Sequence, residues 1–280
     1  MKKTLKENVI EVRNLVAGYG EKTILDGISF DVQRGEILCI IGASGCGKTT
    51  LLKHVTGLLE PRGGEILFWG QALGEMSGEE RSTLARRIGL AFQGGALFNS
   101  MTVGENIALP VEEEGRIDPD LLAALVALKL GLVGLSGYEC LMPDELSGGM
   151  RKRVGFARAI AIDPEIVFFD EPSAGLDPIT SAGLDQVILD IRRLLGATLV
   201  VVTHELNSIN TISDRVLMLD RGKIIFLGTL PQAQNCRIDR VLQFFEHQAD
   251  PEIESPLIPE SHAPGSDPGK AHTQVKSKEN

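Results

Sequence analysis

The 280 residues include 43% hydrophobic side chains, enough to bury a full core and to exclude a chain that is disordered through most of its length. A formal net charge of −10 argues against a basic nucleic-acid footprint. Cys39, Cys46, Cys140 and Cys236 lack paired metal-ligand spacing and are too few to staple a chain of this size, which fits a reducing cytoplasm.

After the basic start, Lys6, Glu7, Glu11 and Arg13 interrupt any apolar stretch, so no export signal is expected. Residues 9–15 alternate apolar and polar side chains and residues 24–32 do so less regularly, which predicts two strands of a partly exposed antiparallel sheet. Between them Tyr19, flanked by Gly18 and Gly20, offers a ring on which a nucleobase can stack; a plain loop tyrosine is the alternative.

The apolar run 37–41 leads into Gly42-Ala43-Ser44-Gly45-Cys46-Gly47-Lys48-Thr49-Thr50, and Leu51, Leu52 and Val55 predict a helix directly after it. Glycine, four residues, then Gly47, Lys48 and Thr49 is the phosphate-loop pattern. Its glycines let backbone N–H groups curl around a polyphosphate, and the helix start adds free donors and the positive end of its dipole. Lys48 is then placed to neutralise terminal phosphates and the Thr49 hydroxyl to join Mg²⁺. The Cys46 thiol near a helix start is expected either to have a lowered pKa or to be a small buried filler.

Residues 64–69 predict a strand, and Ser77 with Glu80 predicts a capping box that opens a helix running to Arg87. A buried-type strand over 88–92 ends at Gln93, followed by the apolar loop Gly94 to Phe98. Leu97 and Phe98 there predict a partner surface if exposed, and an ordinary core contact if tucked in. Helical patterns dominate 102–137, entered at Asp118-Pro119-Asp120, with Leu121, Leu122, Leu125, Leu128 and Leu132 as the expected core stripe. The apolar stretch 121–135 is broken by Lys129, Gly131 and Gly134 and is shorter than the roughly 20 residues a membrane span requires.

Ser147-Gly148-Gly149 opens a further helix, with Met150, Val154, Ala157 and Ala161 on one face and Asp163-Pro164 as its close. The continuous apolar run 166–169 reads as a buried parallel strand that delivers Asp170 and Glu171 to its carboxyl end, where metal binding or base chemistry would use them. A second such strand over 199–203 ends at His204, and 215–219 with 223–227 predicts a hairpin. A short helix with Val241, Leu242, Phe244 and Phe245 precedes a proline-rich tail from residue 249, expected to be disordered. Strands alternating with helices, with polar residues at the strand ends, indicate an α/β parallel sheet with its site along one edge.

In order and spacing, Gly42 to Thr49, Gln93, Leu146-Ser147-Gly148-Gly149-Met150, Ile166 to Glu171, Asp177 and His204 resemble the ATP-binding-cassette (ABC) ATPases. That likeness implies a P-loop NTPase cassette with a RecA-like parallel-sheet core, an antiparallel β subdomain and a helical subdomain near 102–162. The cassette would span 9–248, between a short extension over 1–8 and a tail over 249–280. It implies ATP and Mg²⁺ as ligands, with Tyr19 on adenine, Lys48 on the β- and γ-phosphates, and Thr49 and Asp170 on the metal. Gln93 would sense the metal and the attacking water, Glu171 would polarise that water, and His204 would contact the γ-phosphate. Ser147, Gly148 and Gly149 would complete the site of a second copy, which makes a homodimer the working unit.

Met150 stands where many members have Gln, and Ala174-Gly175 where Ser-Ala is more usual. A narrower likeness accommodates both. Gln93 to Phe98, Leu141 to Met150 and Asp177-Pro178-Ile179-Thr180 are similar to cassettes of lipid transporters that work with mammalian-cell-entry (MCE) proteins, of the maintenance-of-lipid-asymmetry (Mla) type. This implies an integral membrane permease, an MCE-type substrate-binding protein, a possible small regulatory subunit, and a peripheral place on the cytoplasmic face of the inner membrane. A soluble cassette ATPase acting in assembly or regulation is the alternative.

Overall fold

The computed structural model describes residues 7–246, so the expected tail and the first six residues lie outside the described residues. The chain begins with β1 (Asn8–Tyr19), β2 (Lys22–Gln33), β3 (Ile37–Ile41) and α1 (Lys48–Val55), followed by β4 (Gly63–Phe68), β5 (Gln71–Ala72), α2 (Gly78–Arg86) and β6 (Ile88–Ala91). Helices α3 (Val103–Glu112), α4 (Pro119–Leu132) and α5 (Gly148–Ala159) come next, before β7 (Ile166–Asp170), α6 (Pro178–Leu195), β8 (Thr198–Val202) and α7 (Leu206–Ile212). The hairpin β9 (Arg215–Asp220) and β10 (Lys223–Thr229) leads into α8 (Leu230–Gln234) and α9 (Asp239–Phe245).

Two sheets result. Strands β2-β1-β4-β5 form an antiparallel sheet, and β10-β9-β3-β8-β7-β6 form a second sheet in which only β10 runs against its neighbour. Side chains alternate across a strand, so each central strand serves two cores. Leu38 and Ile40 of β3, Phe168 of β7 and Leu217 of β9 meet Leu51, Leu52 and Val55 of α1 and the inner face of the antiparallel sheet. Their neighbours Cys39, Ile41, Phe169 and Met218 join the opposite core, built with the helices of 103–160 and with α6, α7 and α9. Burial on both faces is why these strands read as unbroken apolar runs.

Local signals explain the helix starts. Ser77 and Glu80 form the predicted capping box of α2, and Thr102 with Glu105 forms one at α3. Asp118 caps α4 with Pro119 in its first turn.

Four expectations require correction. The first strand starts at Asn8, inside the expected extension. Strand β6 is an edge strand, so Ile88 and Leu90 are only half-buried. Helix α5 stops at Ala159, short of Asp163-Pro164. The leucine stripe of α4 is not the core stripe: Leu121 and Leu128 are exposed, whereas Val126, Lys129 and Leu130 are buried. Sequence periodicity cannot orient a helix that is apolar nearly all round; the positions of α3 and α5 do so.

Candidate functional site

The carboxyl ends of β3, β7 and β8 converge on a cavity of about 840 Å³. Gly42, Ala43, Ser44, Gly45, Gly47, Lys48, Thr49 and Thr50 form one wall, and Gln93, Glu171 and His204 come from the ends of β6, β7 and β8. This is the strand edge at which open α/β sheets bind ligands.

The loop geometry requires glycine at two positions. Gly42 has φ 143°, and a Cβ there would lie 2.2 Å from the Leu219 carbonyl oxygen; Gly47 has φ 114°, and its Cβ would lie 2.7 Å from Leu25 Cδ2. Gly47 then opens α1 with no side-chain cap, so the start of the helix, Lys48 to Thr50, lines the cavity with its backbone uncovered by a capping side chain. Lys48 is buried, and its ammonium donates to the carbonyls of Gly42 at 2.8 Å and Ala43 at 3.2 Å. Its Nζ is also 3.9 Å from Glu171 Oε1, while His204 Nδ1 lies 2.8 Å from Glu171 Oε2. Loop, strand-end carboxylate and histidine therefore form one connected polar set.

Asp170 ends β7 in the core, and its Oδ1 is buried without a hydrogen-bond partner among the described residues. Burial pushes its pKa up, the charge of Glu171 adds to this, and Lys53 and Lys48 oppose it. Glu171 itself has φ 49°, a left-handed conformation that strains a residue other than glycine by on the order of 1 kcal/mol. The backbone N–H of Glu171 donates to the Val202 carbonyl at 2.8 Å, so the β7–β8 pairing holds the strained residue in place.

Other sequence-selected residues fall elsewhere. Tyr19 ends β1 at 47% exposure and is not in the cavity wall; Ile24 of β2 is. Ser147, Gly148 and Gly149 open α5 outside this cavity, with the Ser147 hydroxyl accepting from the Met150 N–H at 3.3 Å. Of the two readings of Cys46, the lowered pKa is the one that fails: its side chain packs in the core beneath the loop, and burial raises its pKa against the pull of Lys48. It is the buried filler. Leu206 of α7 and Gln243 and Phe244 of α9 also line the cavity; the sequence marks Phe244 only as part of an apolar helix and assigns none of the three to the site, because they arrive from distant segments.

The loop after β6 divides its two apolar residues. Leu97 packs against the core, whereas Phe98 is 51% exposed. Asn106, fully buried, holds the loop: its Oδ1 accepts from the Phe98 N–H at 2.8 Å and its Nδ2 donates to the Phe98 carbonyl at 3.1 Å. The Arg158 guanidinium donates to the Gly95 and Ala96 carbonyls, both at 2.9 Å. Phe98, Phe92, Leu109 and Pro110 then border a groove of about 570 Å³.

A sequence profile of the family described as "ABC transporter" matches residues 25–174, from the edge of the cavity through Glu171. The chain belongs to this family. As an ABC ATPase it is an ATP-binding and ATP-hydrolysing subunit. It is 40% identical over 246 residues to the intermembrane phospholipid transport system ATP-binding protein MlaF of Haemophilus influenzae, covering 88% of this chain and 93% of the relative. MlaF of Escherichia coli K12 is 42% identical over 243 residues, covering 87% and 90%. Among solved structures, the dimeric post-hydrolysis state of the ATP-binding cassette MJ0796 bound to ADP and Pi superimposes with a TM-score of 0.73 at 28% identity, covering 79% of this chain and 98% of that one. Among the described residues, no helix of this ABC ATPase is long and apolar enough to cross a membrane.

Proposed function

We propose that this ABC ATPase energises the movement of phospholipid, or a related hydrophobic molecule, through a separate membrane permease with an MCE-type partner. The observation that carries the reading is the likeness to MlaF over nearly the whole length of both proteins, on a chain that also presents Phe98 beside an apolar groove. Phe98 and that groove receive the permease on the cytoplasmic face of the membrane. A small regulatory subunit beside the cassette is part of the same reading.

In the site, backbone N–H groups of the 42–49 loop and the Lys48 ammonium bind the polyphosphate of ATP, and Tyr19 supplies a ring for adenine from outside the cavity wall. Thr49, Gln93 and Asp170 would hold Mg²⁺, which when bound supplies positive charge to the phosphate oxygens. The unpartnered Asp170 oxygen fits such a cation.

Glu171 accepts a proton from the attacking water, and His204, 2.8 Å from the Glu171 carboxylate, orients it and faces the γ-phosphate. Lys48 keeps the developing phosphate charge stabilised, so the protein acts by positioning and electrostatics. Ser147 and Gly148, exposed at the start of α5, with the buried Gly149 behind them, would close over the site of a second copy in a head-to-tail homodimer.

Glu171→Gln tests this reading. ATP binding is expected to persist, turnover to fall at least about a hundredfold, and light scattering at saturating Mg-ATP to report a dimer. Turnover equal to the parent, or a monomer under those conditions, would overturn the catalytic scheme. Purification from native membranes without any permease would overturn the transport assignment.

A further inference from the structure

Lys152 is a charged residue that neither the phosphate loop nor the family motifs account for. It lies in the second turn of α5, downstream of Ser147, and is only 7% exposed. A buried ammonium is costly unless a specific partner holds it. Its one hydrogen-bond partner among the described residues is the Ala174 carbonyl, at 2.6 Å. Burial lowers the pKa of Lys152 and the charge of Glu171 opposes this, which places the ammonium within electrostatic reach of the site carboxylate.

Ala174 sits midway along the loop from Glu171 to Asp177. Both ends of that loop are anchored: Glu171 by the Val202 carbonyl and His204, and Asp177 by capping α6, accepting from the N–H groups of Ile179 and Thr180 at 3.0 Å each. Within the loop, the Ala174 N–H donates to the Glu171 carbonyl at 3.3 Å and the Leu176 N–H to the Ser173 carbonyl at 3.1 Å. Gly175, with φ 74°, takes a left-handed turn between them. The Lys152 bond is the tie from α5 to the middle of this turn.

The first turns of α5 are also seated on the start of α6. A Cβ on Gly149 would lie 2.7 Å from Thr180 Cγ2, and one on Gly183 would lie 2.7 Å from an Arg153 guanidinium nitrogen. Close packing of this kind transmits displacement rather than absorbing it.

We propose that Lys152 is a positioning residue: by clamping the Ala174 carbonyl to α5 it sets the loop that carries Glu171, so that hydrolysis depends on where the serine-diglycine helix stands. A shift of α5 on pairing with a second copy or a permease would thereby reach the carboxylate within the same subunit. The inference rests on the role proposed above for Glu171.

The full chain carrying Lys152→Met, which keeps side-chain length and removes the ammonium, is compared with Lys152→Arg, which restores a cationic donor. Amide hydrogen exchange of 171–177 is measured without nucleotide, alongside ATP affinity, kcat and KM. In Lys152→Met, exchange at Ala174 and Leu176 is expected to rise and kcat to fall, each by about tenfold. KM and ATP affinity should stay within about twofold, and Lys152→Arg should recover most of both losses. Unchanged exchange and kcat in the folded Met variant, or a loss that appears as KM and affinity instead, overturns the proposal. Should Lys152→Met fail to fold, Lys152→Gln is judged by the same criteria. If Glu171→Gln turns out to hydrolyse ATP normally, the role of Glu171 falls, while the exchange result still decides whether Lys152 holds the loop.

Discussion

Lys129 and Asp163 tie α4 to the turn after α5, and the pair predicts an asymmetric response to mutation. Lys129 is 2% exposed and its ammonium lies 2.5 Å from Asp163 Oδ1, whereas the aspartate side chain is 62% exposed. The lysine therefore depends on its partner for solvation, but the aspartate has water as a substitute. Asp163 has φ 51°, a conformation that asparagine tolerates, so Asp163→Asn removes the charge with little backbone strain. An ion pair then becomes a hydrogen bond from the buried ammonium to a neutral amide oxygen, at a cost of about 1 to 2 kcal/mol. Lys129→Met removes the buried charge itself and keeps most of the volume, so its expected effect is within about 1 kcal/mol of zero. Urea unfolding followed by circular dichroism, with the slopes compared among variants, measures both. Asp163→Asn as stable as the parent, or Lys129→Met the more damaging of the two, would refute the argument.

Two further outcomes follow from burial. Asp185 on α6 is buried and its pKa is pushed up to about 6, mainly by desolvation, with Ser208 opposing and Glu205 adding. The folded state holds this proton more tightly than the unfolded chain, so the stability from this group is present below the unfolded value near 3.8 and is lost as pH climbs through about 6. Asp185→Asn should therefore gain stability relative to the parent between pH 4 and 7.5, by on the order of 2 to 3 kcal/mol; a pH-independent difference in thermal midpoint would contradict this. The exposed Cys140 should react with iodoacetamide well before the buried Cys46, whose pKa is raised, and peptide mass spectrometry showing equal rates would contradict the core assignment of Cys46.

Much of this molecule is local and therefore legible in the order of its residues. Glycine spacing with Lys48 and Thr49 dictates a loop that a Cβ at Gly42 or Gly47 would obstruct. Ser77 with Glu80 and Asp118 with Pro119 dictate helix starts through bonds made within a single turn. Unbroken apolar runs at 37–41 and 166–169 imply strands covered on both faces, and strand ends then carry the polar residues toward one edge. The resemblance to the cassette family rested on the order of Gly42 to Thr49, Gln93, Leu146 to Met150, Ile166 to Glu171, Asp177 and His204 together.

What remained hidden depends on neighbours distant in the chain. The burial of α4 follows from where α3 and α5 lie, so a helix apolar nearly all round left Leu121 and Leu128 facing outward and Lys129 inward. The choice between an activated and a filler Cys46 was decided by the antiparallel sheet and α1, which close over it. Asn106 and Arg158 hold the Phe98 loop, Gln243 and Phe244 reach the cavity, and Lys152 reaches Ala174 through contacts across the fold. Covalent order sets φ preferences, caps and the alternation of a strand, whereas desolvation and the choice of a buried partner are settled only when separate segments pack together.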